Sequence, residues 1–272
     1  MYLKSVLQMA SLMLHFRNGR TLVERMRAAQ PCDEVVLWDG TRISHPSGGG
    51  GLLEVVVELW LEHAYTAGFY RPADGGVIID TGANVGIFAI QIARQNPRCR
   101  VIALGPFLGN FKYLEANVAR ACPETVTYCD VALGAGFSRG QTQAASSPSL
   151  DHVLRVDPAA ADSTPVVPLS GLFDRALAQE IDFLKVDIEA PSTTSCRRFT
   201  GPAWPIQAYR DGVSRSNRAR TLAPLHRVLT PTHEITVRPS KMEGCGILLA
   251  RCRLAAADIP ADFNTLQLQE FE

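Results

Sequence analysis

The sequence has no excess of charge of either sign. Its 272 residues include 27 basic and 27 acidic side chains, and the formal net charge at pH 7 is zero. Proteins that bind nucleic acid or an anionic membrane through electrostatics present basic surfaces. The balance therefore favours small neutral or mixed-charge ligands, and we expect neither nucleic acid nor a membrane among the partners.

Regularly spaced cysteines are also missing. The seven cysteines are odd in number, and none belongs to a C-x-x-C pair. Neither a disulfide framework nor a zinc site is therefore indicated. We expect reduced thiols in a cytoplasmic protein and predict no metal site.

A long hydrophobic run is absent too, since no stretch reaches the roughly 18 apolar residues of a membrane span. The apolar beginning of the chain is interrupted by Gln8, Ser11 and His15. Its apolar residues instead follow helical spacing: Leu3, Val6, Leu7, Ala10, Met13 and Leu14. This spacing predicts an amphipathic helix rather than a signal peptide.

The most informative stretch runs from Val77 to Gly86 and reads Val-Ile-Ile-Asp-Thr-Gly-Ala-Asn-Val-Gly. A buried parallel strand is typically a continuous apolar run, and glycines at its carboxyl end let the backbone approach a ligand. The helix that follows offers free N–H groups to that ligand. The stretch therefore predicts a cofactor loop shaped by Asp80, Gly82, Asn84 and Gly86.

Strand and helix signals alternate from this stretch onward. Strands are predicted at Val77 to Asp80, Arg100 to Leu104, Val126 to Val131 and Ile181 to Ile188, and helices at Ile87 to Gln95, Asn110 to Ala121 and Ser170 to Gln179. The alternation predicts a parallel, doubly wound α/β sheet that binds its ligand at the carboxyl ends of the strands.

An N-terminal extension precedes this α/β region. Glu34 to Leu37 and Thr41 to Ile43 flank Asp39-Gly40, which predicts a hairpin. Leu53 to Tyr65 predicts a helix that leads to the sheet. We therefore divide the chain into a helix and hairpin extension, residues 1–52, and an α/β domain, residues 53–272.

Two further segments have distinct patterns. Gly134 to Pro165 is polar and rich in Ser, Ala and Asp, which predicts a long excursion or lid. His233 to Arg238 and Gly246 to Cys252 predict a closing antiparallel hairpin.

Four sequence blocks follow one another in an order that is more specific than one glycine loop. They are Ile79-Asp-Thr-Gly-Ala-Asn-Val-Gly86, then Val101-Ile-Ala-Leu-Gly-Pro106 with Asn110-Phe-x-x-Leu-x-x-Asn117, then Val131-Ala-Leu-Gly134, and finally Ile181-Asp-Phe-Leu-Lys-Val-Asp-Ile-Glu189. From about Glu54 to Arg253, the chain resembles the FkbM-type family of class I S-adenosylmethionine-dependent methyltransferases.

The resemblance implies a Rossmann-like class I methyltransferase fold with S-adenosyl-L-methionine as cofactor. It also implies methyl transfer to a hydroxyl oxygen of a small metabolite such as a sugar or polyketide, and it is compatible with a homodimer. Besides the glycine loop, the residues implied to border the ribose and adenine are Leu104, Gly105, Pro106 and Phe107. Those implied to flank the adenine are Asp130, Val131 and Ala132.

Asp187 and Glu189 are the candidate catalytic residues. They lie two apart on a predicted strand, so their side chains face the same way at the ligand edge. A carboxylate there can take the proton of an acceptor hydroxyl. Base, metal ligand and acceptor contact remain open as roles, as does a structural role in which one residue caps the next turn.

Gly105 departs from the family pattern. In the family the second strand ends in an acidic residue before proline, which accepts hydrogen bonds from the cofactor ribose. Losing a charge-assisted hydrogen bond costs about 1.5–3 kcal/mol, or roughly 10- to 150-fold in affinity. Gly105 therefore weakens the expected cofactor binding unless water or a neighbouring polar group replaces the carboxylate.

The segment after Glu189 also departs from the family, which continues Gly-Ala/Ser-Glu into a helix. This chain reads Ala190-Pro-Ser-Thr-Thr-Ser-Cys196, which is poor helix material. Losing one G from GAG GGC GCC GAG TAC GAC ATC CTG C, which encodes Glu-Gly-Ala-Glu-Tyr-Asp-Ile-Leu, yields Glu-Ala-Pro-Ser-Thr-Thr-Ser-Cys. We therefore hypothesise a frame slip that replaces residues 190–224, a hypothesis that resequencing decides.

Two other functions remain open. Gly105 and the altered segment favour a degenerate, noncatalytic member of the fold with weakened cofactor binding. A nicotinamide-dependent oxidoreductase is less favoured because it needs an acidic ribose ligand and a G-x-G-x-x-G turn, and both are absent.

Overall fold

The computed structural model describes ten ranges of the chain, and everything below concerns these residues. They are 2–47, 51–63, 74–133, 137–144, 152–156, 163–167, 181–186, 208–213, 233–239 and 246–252. None of the helices within these ranges combines the length and apolar composition that crossing a bilayer requires.

The N-terminal extension, taken together with the helix that leads to the sheet (residues 2–61), contains three helices and a hairpin. Its elements are α1 (Tyr2–His15), α2 (Gly19–Arg27), β1 (Glu34–Val36), β2 (Arg42–Ser44) and α3 (Leu52–Val56), which continues as a π-helical turn over Val57–Leu61. The predicted first helix and hairpin are confirmed, and Gly40 adopts the left-handed backbone (φ 89°) that the Asp-Gly turn requires. The sequence did not predict α2, since only two of its large apolar residues, Leu22 and Val23, are buried.

The remaining elements follow in chain order. They are β3 (Val77–Thr81), α4 (Ile87–Gln95), β4 (Arg100–Leu104), α5 (Leu108–Ala121), β5 (Val126–Cys129), β6 (Ala132–Leu133), β7 (Ser138–Ala144), β8 (His152–Val156), β9 (Thr164–Val167), β10 (Phe183–Val186), β11 (Ala208–Val213), β12 (His233–Pro239) and β13 (Gly246–Cys252).

Seven of these strands form the central sheet in the order β12-β13-β11-β10-β3-β4-β5. The five strands from β11 to β5 run parallel, whereas β13 is antiparallel to both β11 and β12. This arrangement confirms the mostly parallel, Rossmann-like sheet with a C-terminal antiparallel hairpin that the sequence predicts. The carboxyl ends of the parallel strands therefore meet at one edge, where α/β proteins bind their ligands.

Helix α4 lies in the core between the sheet and the N-terminal extension. Its residues 87–93 are all buried, which is typical of a helix covered on every side. On one side Phe88 stacks on Phe183 of β10, with ring centroids 6.0 Å apart. On another, Gln91 Nε2 donates to the carbonyl oxygen of Leu59 at 2.9 Å. The extension therefore packs directly on the helix that follows the glycine loop.

A second sheet lies where the sequence predicts a polar excursion. Here β7 pairs with both β8 and β9, β9 also pairs with β6, and the sheet order is β6-β9-β7-β8. The sequence predicts a long excursion or lid here and does not predict its strands. In β7, exposed Arg139 and Gln141 flank buried Gly140, so the strand carries little apolar signal. The predicted strand Val126 to Val131 is too long, because β5 ends at Cys129.

The altered segment still contributes a strand to the central sheet. β11 lies within residues 190–224 and pairs in parallel with β10, with Arg210 opposite Lys185. Backbone hydrogen bonding is independent of side-chain identity, so a replaced sequence can occupy this place. The predicted helix Ser170 to Gln179 lies outside the described residues.

Candidate active site

The glycine loop follows β3 and turns the chain into α4. Gly82, Asn84 and Gly86 have left-handed backbone angles, with φ of 72°, 53° and 90°. Glycine adopts this conformation freely, and asparagine is among the few other residues that do. A Cβ at Gly86 would lie 2.8 Å from Cδ1 of Leu114, so packing also requires glycine there. The loop thus directs the free N–H groups of α4 toward the ligand edge of the sheet.

A buried ion pair lies beneath the loop. Lys185 Nζ donates to Asp80 Oδ1 at 2.7 Å, and the two side chains are only 3% and 0% exposed. The pair forms because β3 and β10 are neighbours whose register sets Lys185 opposite Asp80. Nζ also lies 3.5 Å from the carbonyl oxygens of Thr81 and Gly82. The predicted cofactor residue Asp80 therefore supports the loop from below.

The end of β4 carries no charged side chain, since residues 104–107 are Leu, Gly, Pro and Phe. Leu104 and Gly105 are buried, and Pro106 and Phe107 are half-buried. The N–H of Gly105 donates to the carbonyl oxygen of Cys129 at 3.1 Å, and the carbonyl oxygen of Leu104 accepts from Ala83 at 2.9 Å. Backbone hydrogen bonds therefore connect this strand end to the glycine loop and to β5.

The end of β5 holds Asp130, Val131 and Ala132, of which the last two are buried. Burial raises the pKa of the Asp130 carboxyl, an effect that the nearby Arg139 partly opposes. The register pairs Thr81 with Leu104 and Leu104 with Cys129. The three predicted cofactor segments therefore follow three adjacent strand ends.

The family comparison agrees with this geometry. The family model described as the methyltransferase FkbM domain matches residues 80–190. This part of the chain is therefore similar to the FkbM methyltransferase domain. Members of this family use S-adenosylmethionine, and the match ends beside the segment that departs from the family pattern.

A curated protein is similar to part of this chain. The AMB antimetabolite synthetase AmbE of Pseudomonas aeruginosa is 36% identical over 75 residues, which are 27% of this chain and 4% of that protein. The match therefore spans a small fraction of the length of this relative.

Solved methyltransferase structures match two thirds or more of this chain at low identity and low TM-score. A precorrin-6y C5,15-methyltransferase from Geobacter metallireducens is 12% identical, with a TM-score of 0.39, and the match covers 66% of this chain and 83% of that one. Human methyltransferase-like protein 13, solved in complex with SAH, is 15% identical with a TM-score of 0.40, and the match covers 78% and 81%.

Strand β10 leads to the two predicted catalytic residues. This strand ends at Val186, one residue before Asp187, so Asp187 and Glu189 lie outside the described residues. Their catalytic role stays a prediction. Among the described residues, no group of three potential metal ligands comes together.

Sequence reasoning missed two residues that hold the site together, Lys185 and Asn117. Both lie in the motif blocks, but neither was assigned a function. A lysine within an otherwise apolar strand was the available signal for Lys185, because a fully buried lysine is rare without a partner. Asn117 is also fully buried, on a helix whose sequence gives no sign of its partners.

Proposed function

We propose that this chain is an S-adenosylmethionine-dependent O-methyltransferase that acts on a hydroxyl of a small metabolite. The observation that carries the proposal is the left-handed glycine loop, which is locked to its neighbouring strand by the Lys185–Asp80 pair. A rigid loop at the sheet edge limits the entropy that a ligand must remove on binding.

The described residues fit this cofactor in shape. Small residues line the loop and the neighbouring strand end, and these are Gly82, Ala83 and Gly105. Gly82 and Asn84 adopt the backbone that exposes N–H groups in a concave loop. Leu104 to Phe107 would border the ribose and adenine, and Asp130 to Ala132 would flank the adenine.

The proposed chemistry places few demands on the protein beyond positioning. When bound, S-adenosylmethionine supplies an electrophilic methyl group. The loop and the strand ends orient the reactants for in-line displacement, which provides much of the rate acceleration. We assign Asp187 or Glu189 to hold the acceptor hydroxyl and take its proton.

Calorimetric titration of the whole chain with S-adenosylhomocysteine tests the cofactor assignment. We expect saturable binding with one ligand per chain. Absence of binding at millimolar ligand would exclude an active transferase. A panel of hydroxylated sugars and polyketides, assayed for methyl transfer, then tests the acceptor class.

The second candidate is a noncatalytic protein that retains the fold. Gly105 favours it, because the end of β4 lacks the carboxylate that would bind the ribose hydroxyls. The titration and the acceptor panel together separate the two candidates. A weak affinity in the titration, with no turnover on any acceptor in the panel, supports the noncatalytic protein.

We further propose a small-molecule acceptor, with no nucleic acid or membrane as partner, in a cytoplasmic protein. The equal numbers of acidic and basic residues support this proposal. Retention on heparin that salt releases would contradict the absence of a nucleic-acid partner, because binding to a polyanion weakens as salt increases.

A further inference from the structure

One face of α5 contacts three consecutive residues of the glycine loop. Asn110 Nδ2 donates to Asn84 Oδ1 at 2.6 Å, and Asn117 Nδ2 donates to the carbonyl oxygen of Val85 at 2.9 Å. Between these bonds, Leu114 packs against Gly86. Intervals of four and three residues bring Asn110, Leu114 and Asn117 onto one helix face. The helical spacing of Asn110, Leu114 and Asn117 in the motif Asn110-Phe-x-x-Leu-x-x-Asn117 therefore lets all three side chains contact the loop.

Asn117 also binds the N-terminal hairpin. Its Oδ1 accepts from the N–H of Ser44 at 2.9 Å, and its Nδ2 donates to the carbonyl oxygen of Ser44 at 2.8 Å. A side-chain amide has the same donor and acceptor as a peptide group, so Asn117 pairs with the outer edge of β2 as a neighbouring strand would. The two Nδ2 hydrogens are thus shared between the hairpin and the loop, and Asn117 is completely buried.

We propose that Asn117 is a positioning residue that couples the N-terminal hairpin to the cofactor loop. Its Nδ2 donates to both the hairpin and the loop, and its Oδ1 accepts from Ser44 and from Arg120 Nη2 at 3.1 Å. A displacement of β2 that breaks the Ser44 bonds therefore removes two of the contacts that orient the amide toward Val85. The hairpin turn has a second attachment, since Asp39 pairs with Arg94 on α4. The hairpin is therefore attached to the glycine loop through Ser44 and Asn117, and to α4 through Asp39. The ligand part of this inference rests on the proposed function.

Ser44→Pro tests the coupling from its distant end. Proline removes the Ser44 N–H that donates to Asn117 Oδ1 and leaves the bond from Arg120 Nη2 to the same oxygen in place. Edge strands tolerate proline. Arg42→Pro is the matched control, because Arg42 lies two residues away on the same edge of β2. Asn117→Leu removes all amide bonds at similar volume. Should Asn117→Leu fail to fold, the two proline variants still decide the outcome.

Amide hydrogen exchange of the ligand-free protein is the first measurement. We expect exchange of residues 82–86 to accelerate at least fivefold in Ser44→Pro and Asn117→Leu, and to change less than twofold in Arg42→Pro. Equal loop exchange in the two proline variants would overturn the coupling. This measurement needs no cofactor, so its outcome is independent of the proposed function.

Titration with S-adenosylhomocysteine is the second measurement. We expect affinity to fall at least threefold in Ser44→Pro and tenfold in Asn117→Leu, with Arg42→Pro within twofold of wild type. Equal affinities in the two proline variants would overturn the positioning role. If wild type itself binds no S-adenosylhomocysteine, the proposed function fails, and the exchange measurement alone decides the coupling.

Discussion

The neighbouring strands β3 and β4 end differently at the ligand edge of the sheet. β3 ends in a glycine loop supported by the buried Lys185–Asp80 pair and by Asn110 on α5. β4 ends in Gly105, which contributes only backbone. The geometry of the cofactor loop is thus retained where the side chain that would bind the ribose is missing.

This difference separates two requirements of a binding site. Loop shape depends on long-range contacts that also stabilise the fold, so losing them would destabilise the whole protein. A ribose contact affects only ligand affinity, because its side chain lies at the surface of the finished edge. A sequence can therefore lose the ribose contact while it keeps the shape of the loop.

Breaking the ion pair under β3 should have the largest effect. Lys185→Met leaves the Asp80 carboxylate buried without its cation, which costs about 3–5 kcal/mol of unfolding free energy. Urea denaturation followed by circular dichroism measures the loss. The double variant with Asp80→Leu is the control, and it should recover most of the stability because no charge remains. A single variant as stable as wild type would contradict the role of the pair.

Filling the glycine loop should have the next largest effect. Gly86→Ala forces a left-handed alanine, at about 1–2 kcal/mol, and places its Cβ 2.8 Å from Leu114, at about 1–3 kcal/mol more. Gly75→Ala is a matched control, because Gly75 has a similar φ of 79° and no atom within 4 Å of the added Cβ. Thermal unfolding should separate the variants. Equal losses would show that packing against Leu114 is unimportant.

The sequence predicted local elements well where burial is continuous. The bounds of α4 and β4 match the prediction residue for residue, because their apolar residues are contiguous or regularly spaced. The sequence did not predict α2 or the strands of the small sheet, of which β7 is polar.

The contacts that shape the site could not be predicted in the same way. Lys185 and Asp80 are 105 positions apart, and Asn117 and Ser44 are 73 apart. Their pairing depends on strand order and register, and register is set by the packing of the whole sheet. Local sequence patterns therefore indicated the loop but not its supports.

Restoring the missing carboxylate should change affinity rather than stability. Gly105→Glu should tighten S-adenosylhomocysteine binding by roughly 10- to 150-fold, because a charge-assisted bond is worth about 1.5–3 kcal/mol. The new Cβ would lie 3.3 Å from Leu114, so a small shift of that side chain accommodates it. Gly105→Gln is the neutral control and should improve calorimetric affinity only a few-fold. Equal affinities would contradict the placement of Gly105 beside the ribose.

The smallest effect should come from breaking the exposed ion pair between Asp39 and Arg94 of α4. The pKa of Asp39 is lowered from 3.8 to about 2, mainly because the N–H of Thr41 donates to its carboxylate, and Arg94 adds to the effect. A folded-state pKa below the unfolded value stabilises the protein above pH 3.8, and this contribution is lost as the pH falls toward 2. Because both side chains reach solvent, the pair is worth only about 0.2–1 kcal/mol.

Asp39→Asn tests this contribution, since asparagine keeps an acceptor for Thr41 and removes the charge. Urea denaturation should show a stability difference from wild type at pH 6 that disappears near pH 2 and shrinks in high salt. A difference that persists at pH 2 would assign the effect to the turn rather than to the charge. Loss of one partner is therefore expected to cost much stability at the buried Lys185–Asp80 pair and little at the Asp39–Arg94 pair, which water screens. Burial thus decides how strongly each ion pair affects the stability of the protein.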